Sequence, residues 1–507
     1  MHCCSQKQRI EEVIKYFALT DPLSIAIVSS KYNPLTYSQL VRQIDHVVST
    51  LSKSGFGKSA RIAIAVKDAA PAAFAIVAVA CFAVAVPLDQ NLAATEIETR
   101  LKLLNVDAVC VLAGEQNATR AVAKRHGIAT FELIPQDKRE LSFSMSAPKI
   151  SGHNQILDAA LDNVAVILQT SGTTAEPKLV PFLHSSLLAA AKQTRMWFNL
   201  NSNDRCLSIA SPYYSHGLTF TILASLLSGG SVAFPSSPTD VNLSEWFETL
   251  SPTWYSASPT LHLAISEKLE SVPSGLKHRL RLLSSGGAPL PESVQSKLRH
   301  TLGIDILEHY GMTEASQVST NLPPPGPCKS GTVGIPPSDT VIVVGRDGNN
   351  SPTNHKGEIW VRGPNVMTGY LNGPEPNQEA FSGGWFRTGD IGSFDEEGFL
   401  TIQGRIKELI NRGGEKISPF EIEAIILKHP DILDAVAFAV PHPRLGEDVA
   451  AAIVLQPGAT FTPNEFRRFM STQLSWNKVP RRVHIMESIP KGLGGKALRN
   501  KLKEIYS

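Results

Sequence analysis

The chain has 507 residues, enough for about three folding units at roughly 100–200 residues each. Hydrophobic residues make up 42%, ample apolar surface for a large core, which excludes a disordered chain. With 48 Lys+Arg against 46 Asp+Glu, the net charge of +2 gives no support for nucleic-acid or membrane-surface binding by bulk charge. In chain order, the N-terminal stretch carries Lys7, Arg9, Glu11 and Glu12, and no signal-peptide apolar run follows. The six cysteines (3, 4, 81, 110, 206 and 328) form no pair or cluster with metal-ligand spacing. Their sparseness fits a reducing, cytoplasmic compartment.

Amphipathic stretches then alternate with short Val/Ile/Ala-rich runs. Strands are predicted at 61–66, 83–88, 107–112, 164–169, 205–210 and 341–344. Helices are predicted at 37–51, 95–104, 185–198 and 291–302. Strand–helix alternation predicts an α/β fold with largely parallel sheets. Residues 69–88 carry no charge, the length of a membrane span. Their Ala/Val composition and two prolines instead predict a helix buried on most sides followed by a short strand, with no membrane span. A β-rich stretch crowded with Gly, Pro and Asn occupies 357–399. After Gly404 the pattern restarts, with a helix at 419–428, strands at 435–440 and 449–455, and helices from Pro463 and Ala497. A domain of residues 1–404 and a smaller one of 405–507 follow.

The segment 168–180 reads LQTSGTTAEPKLV. A β-branched strand runs into Thr170, Ser171, Gly172, Thr173 and Thr174, with Lys178 close behind. Clustered hydroxyls and a glycine after a strand can turn backbone N–H groups toward one anion, and the lysine adds a cation. By itself the run is equally a Ser/Thr-rich surface turn. It resembles the phosphate loop of the adenylate-forming superfamily, which contains acyl-CoA synthetases, adenylation domains and beetle luciferases. The family pattern is S/T-S-G-S/T-T-G-x-P-K-G, and this chain departs from it at Ala175 and Leu179.

Six further runs follow in the order of that family. Ser284 to Pro289 (SSGGAP) resembles the stretch whose backbone, through Gly287, Ala288 and Pro289, lines adenine, with Gly286 toward the acyl group. Glu308 to Glu314 (EHYGMTE) resembles the YGxTE element, which the resemblance makes an AMP site through His309, Tyr310, Gly311 and Met312. An aromatic ring can stack a purine, Thr313 can donate to a phosphate, and Glu314 can hold Mg2+. Thr388-Gly389-Asp390 resembles the TGD motif, where one carboxylate accepts from both ribose hydroxyls. Gly404-Arg405-Ile406-Lys407 resembles the hinge motif, with Arg405 reaching ribose and Lys407 as the pivot. The run 408–423 resembles the CoA-ligase branch, where Gly413 and Gly414 line the thiol tunnel. The run 489–496 (IPKGLGGK) resembles PKTxxGK, whose second lysine, here Lys496, reaches the carboxylate and α-phosphate.

The resemblance implies a large N-terminal domain of several subdomains, with two mainly parallel sheets plus a β-rich subdomain, and a small mobile α+β C-terminal domain. It implies ATP, Mg2+ and CoA as cofactors, and a carboxylic acid activated to acyl-AMP before transfer to a thiol. Lys496, Thr313 and Glu314 are the expected catalytic residues. Tyr213, Tyr214, His216, Gly286 and Gln317 are the expected acyl pocket, with Tyr255 beside them. His216 is either a pocket donor or a structural cap. The 408–423 run with HYGMTEAS is most similar to oxalate-CoA and 4-coumarate-CoA-ligase-like proteins, whereas PYYSHGL resembles aryl-CoA ligases. The acid is therefore left open. An acid–CoA ligase, a free-standing enzyme loading a carrier protein and a non-catalytic homologue compete.

Overall fold

The computed structural model describes residues 8–137, 139–146, 163–170, 177–270, 276–460, 462–491 and 497–506. Two sheets with parallel centres form the body. One runs, edge to edge, through Phe143–Met145, Ala129–Pro135, Ala108–Leu112, Arg61–Ala65, Val84–Pro87, Val164–Thr170 and Lys178–Leu183. The other runs through Ser316–Thr320, Ile306–Met312, Leu282–Gly286, Trp254–Ala257, Arg205–Leu207, Ser231–Phe234, Ile25–Ser29 and Leu35–Thr36. In both, antiparallel pairs lie only at the edges, as covered parallel centres require.

The charge-free run divides as the sequence predicts. Helix Ala69–Ala80 is buried along all but its first residue, and strand Val84–Pro87 follows. Asp68 caps the helix by accepting from Ala70 N at 3.4 Å. Its small Ala side chains allow close packing, and Phe74 stacks on Phe143 at 5.5 Å between ring centres. No helix among the described residues is long and apolar enough to cross a membrane.

The predicted strand at 205–210 ends at Leu207. There Ser208 Oγ pairs with Thr221 Oγ1 at 3.2 Å and the chain turns into the π-helical segment His216–Leu223. A search for a 3.6-residue period does not find that segment.

The β-rich stretch is an antiparallel sheet of Val341–Val344, Gly357–Val361, Trp385–Phe394, Phe381–Ser382 and Leu400–Arg405. A short 3-10 turn, Ile406–Glu408, leads out of it into the C-terminal unit. That unit is built on a sheet of Glu415–Ile417, Ile410–Arg412, Gly446–Leu455, Ile432–His442 and Arg482–Ile485. Helices Pro419–Ile426, Pro463–Ser471 and Arg499–Tyr506 cover it, giving it its own apolar cores. The α/β body and the small α+β C-terminal unit match the predicted fold class.

Candidate active site

The phosphate-loop run connects an antiparallel pair of strands in which Thr170 lies opposite Lys178. Ser171, Gly172, Thr173, Thr174 and Ala175 lie outside the described residues. The exit arm is held by a segment that sequence reasoning did not single out. Leu179 N donates to Asn372 Oδ1 at 2.6 Å, and Asn372 Nδ2 donates to the Pro177 carbonyl at 3.1 Å. Leu179, where the family pattern has glycine, is buried among Val84, Val86, Leu104 and Ile167. The departure places a core side chain in strand Lys178–Leu183.

Lys178 Nζ lies 4.4 Å from the ring centre of Tyr370, and Tyr370 Oη donates to Glu314 Oε1 at 2.9 Å. One tyrosine therefore joins the loop's cation to the expected metal carboxylate. The only cue in the sequence was the Tyr-Leu-Asn run of 370–372, which had no charged residue to draw notice.

The same strand end carries Tyr310, whose hydroxyl donates to Asp390 Oδ2 at 2.5 Å. Arg405 Nε sits 2.9 Å from the other Asp390 oxygen. Asp390 is 3% exposed, so its charge is neutralised by Arg405 and shared with Tyr310. Burial beside Asp390 pushes the Tyr310 hydroxyl well above its usual range, which keeps it a donor.

Parallel pairing puts Ser284, Gly286 and His309 on one sheet face, and antiparallel pairing adds Gly311 and Gln317 to it. The π-helical segment covers that face. His216 Nε2 pairs with Ser256 Oγ at 2.8 Å, and His309 Nδ1 with Ser284 Oγ at 2.7 Å. The His216 and His309 rings lie 5.4 Å apart, and Phe220 lies 4.6 Å from His309. Burial pushes His216 down to about 4 and His309 well below the usual range, so both imidazoles are neutral at pH 7. A β-carbon on Gly286 would stand 2.1 Å from His309 Nε2, so only glycine fits there. Gln317 Oε1 is buried and has no hydrogen-bond partner among the described residues. Gly287, Ala288 and Pro289 are exposed at the end of the strand, with Gly287 at φ +89°.

Each of the three expected pocket tyrosines has its own surroundings. Tyr214 Oη donates to Asp89 Oδ2 at 2.7 Å, and Tyr213 packs against the large body core. Tyr255 is fully buried in a separate core, stacked on Phe247. The imidazoles of His216 and His309 are the rings that the structure places with Gly286 and Gln317. Paired strands share faces, and a linear motif does not report that.

In the C-terminal unit, Gly413 and Gly414 form the two-residue turn of a hairpin, with Arg412 opposite Glu415. Their φ values of +61° and +91° are those such a turn requires, a structural reason for glycine beside any need for ligand approach. The loop ending in Lys496 falls outside the described residues, but its base is fixed. Leu498 N donates to the Pro490 carbonyl at 2.9 Å. Lys491 Nζ donates to Thr260 Oγ1 of the body at 3.0 Å and pairs with Asp434 at 2.6 Å. Among the described residues no group of three or more His, Cys, Asp or Glu could hold a metal ion.

Residues 15–371 match the family described as AMP-binding enzyme, and residues 421–496 match the C-terminal domain of AMP-binding enzymes. The chain belongs to the AMP-binding enzyme family. This AMP-binding enzyme is 36% identical to an oxalate–CoA ligase of Arabidopsis thaliana, over 97% of its own length and 96% of that protein's. It is 35% identical to an oxalate–CoA ligase of Saccharomyces cerevisiae, over 83% and 82% of the two chains. Among solved structures, ATP-bound MatB from Rhodopseudomonas palustris superposes with a TM-score of 0.86 at 26% identity, covering 98% and 99% of the chains.

Proposed function

We propose that this AMP-binding enzyme is an ATP-dependent ligase that joins a short polar carboxylic acid, of the size and character of oxalate, to CoA through an acyl-adenylate. One observation carries the reading. The end of strand Ile306–Met312 joins Tyr310, Asp390 and Arg405 on one side to Glu314, Tyr370 and Lys178 on the other. A ribose reader and a phosphate reader thus form one continuous site beside the imidazole-lined face.

The acid's carboxylate attacks the α-phosphorus of ATP. The bond to the pyrophosphate oxygen breaks, leaving acyl-AMP. Charge builds on the phosphoryl oxygens, so preorganised donors and a cation lower the barrier. Thr313, the 170–174 loop, Lys178 and Lys496 are assigned that role. Glu314 suits Mg2+, which takes one or two carboxylates together with substrate phosphates and water. The ion would neutralise charge between phosphates.

The CoA thiol then displaces AMP. A turn of the 405–507 unit about Lys407 exchanges Lys496 for Gly413 and Gly414, a gate rather than a catalytic group. The neutral His216 and His309 favour an acid with a hydrogen-bonding far end. The ring packed against Gly286 leaves little depth for an aryl group.

Pyrophosphate release over a panel of oxalate, longer dicarboxylates, benzoate and 4-coumarate, with free CoA as acceptor, tests this. CoA-dependent AMP formation strongest with oxalate or another short polar acid is the expected result. A preference for aryl acids, or transfer only to a carrier protein, overturns it.

A further inference from the structure

The turn Ile406–Glu408 connects body and lid, and an ion pair fastens each of its ends. Before the turn, Arg405 is tied to the body twice: its backbone pairs with Asp390 in the ladder, and its guanidinium meets that buried carboxylate at 2.9 Å. After the turn, Glu408 Oε2 accepts from Arg499 Nη1 at 2.9 Å.

Arg499 is anchored in the lid by every other face. Its Nη2 donates to both oxygens of Glu423 at 2.8 Å, its Nε donates to the Ala437 carbonyl at 3.3 Å, and its plane lies 4.7 Å from the Phe420 ring centre. A planar guanidinium with five donors is suited to such a four-way anchor, and a lysine is not. Between the two fastenings only Ile406 and Lys407 remain, and both are exposed.

We propose that Glu408 and Arg499 are positioning residues that confine the lid's rotation to Ile406 and Lys407. This rests on the two-orientation reading above. Arg499 also lies three positions beyond Lys496. The side chain that fastens the hinge to the lid therefore holds the first turn of helix Arg499–Tyr506, directly after the Lys496 loop. A loose hinge end lets the loop swing to many places; a fastened one delivers it to one place. The orientation seen here is marked by contacts that cross the pivot, Lys491 to Thr260 and Ser418 Oγ to the Gln403 carbonyl. The Glu408–Arg499 clasp lies wholly on the lid side and turns with it.

The test is a distance distribution between spin labels on the full chain, introduced by Met196→Cys on the body and Ile505→Cys on the lid, both exposed. Cys3, Cys4 and Cys328 are replaced by serine. With Mg-ATP bound, the parent gives a narrow distribution. Glu408→Ala and Arg499→Lys are expected to broaden it, and Glu408→Gln, which keeps an acceptor oxygen, to restore most of the sharpness.

Turnover with ATP, CoA and the best acid of the panel should fall about tenfold in the two broadened variants, since an ångström of misplacement can cost roughly 10²-fold. The KM for ATP should stay within about twofold, because the body's own ATP contacts are untouched. An unchanged width in both variants, or a lower melting temperature with unchanged width, overturns the proposal. The distance arm uses ATP alone, so a wrong acid does not affect it. Failure of the parent to shift its distribution between ATP and AMP plus CoA counts against the two-orientation reading instead.

Discussion

Gly286 shows how one missing β-carbon shapes the site. The atom it lacks would sit 2.1 Å from His309 Nε2, and that ring is fixed from behind by Ser284 at 2.7 Å. The imidazole has nowhere to retreat, because Phe220 and His216 pack against it. Gly286→Ala is therefore expected to cost about 1–3 kcal/mol of stability as overpacking. Pyrophosphate release should fall by about 10²-fold as the acid is displaced. Melting curves and an ATP/pyrophosphate assay on one preparation check both numbers. The glycine pair was visible in the sequence, whereas the ring it accommodates, 23 positions on, was not. Tyr370 teaches the same lesson, since its partners Lys178 and Glu314 come from other elements.

At the scale of elements, the covering helices of the C-terminal unit meet through a buried acid. Glu423, on helix Pro419–Ile426, accepts from Arg499 and from the Ala437 amide. Burial raises it from 4.5 to about 7, against the opposing pull of Arg499 and of the amide. A carboxyl whose folded pKa lies above its unfolded value favours folding most when protonated. Its contribution is full below about 4.5 and is lost as pH rises through about 7. The stability advantage of the parent over Glu423→Gln should accordingly shrink between pH 5 and pH 8, measured by denaturant unfolding. An advantage that grows over this range would mean the ion pair outweighs burial. Helix Ala69–Ala80 shows the opposite case, where composition alone foretold burial because it offers water no polar face.

For the whole molecule, the division of labour falls between body and lid. In the proposed mechanism the residues assigned to acid and ATP lie on the body, while Lys496 belongs to the lid, where Lys491 reaches Thr260 of the body. Lys496→Ala is expected to stop pyrophosphate release yet leave thioester formation from supplied acyl-AMP within a few-fold of normal. Assaying the two half-reactions separately decides it, and equal loss in both would refute the division.

By itself the sequence determined the alternation of strands and helices, the buried apolar helix and the ordered motifs that mark an AMP-binding enzyme. Those features are local, or are fixed by hydrophobic period and by backbone demands that few residues meet. Only the tertiary structure decided that Tyr310 meets Asp390 and that Tyr370 meets both Glu314 and Lys178. It alone tied Tyr214 to Asp89, and Glu408 to Arg499, 91 positions apart. Contacts of that kind depend on strand order, sheet face and the closure of long loops, which no linear spacing records.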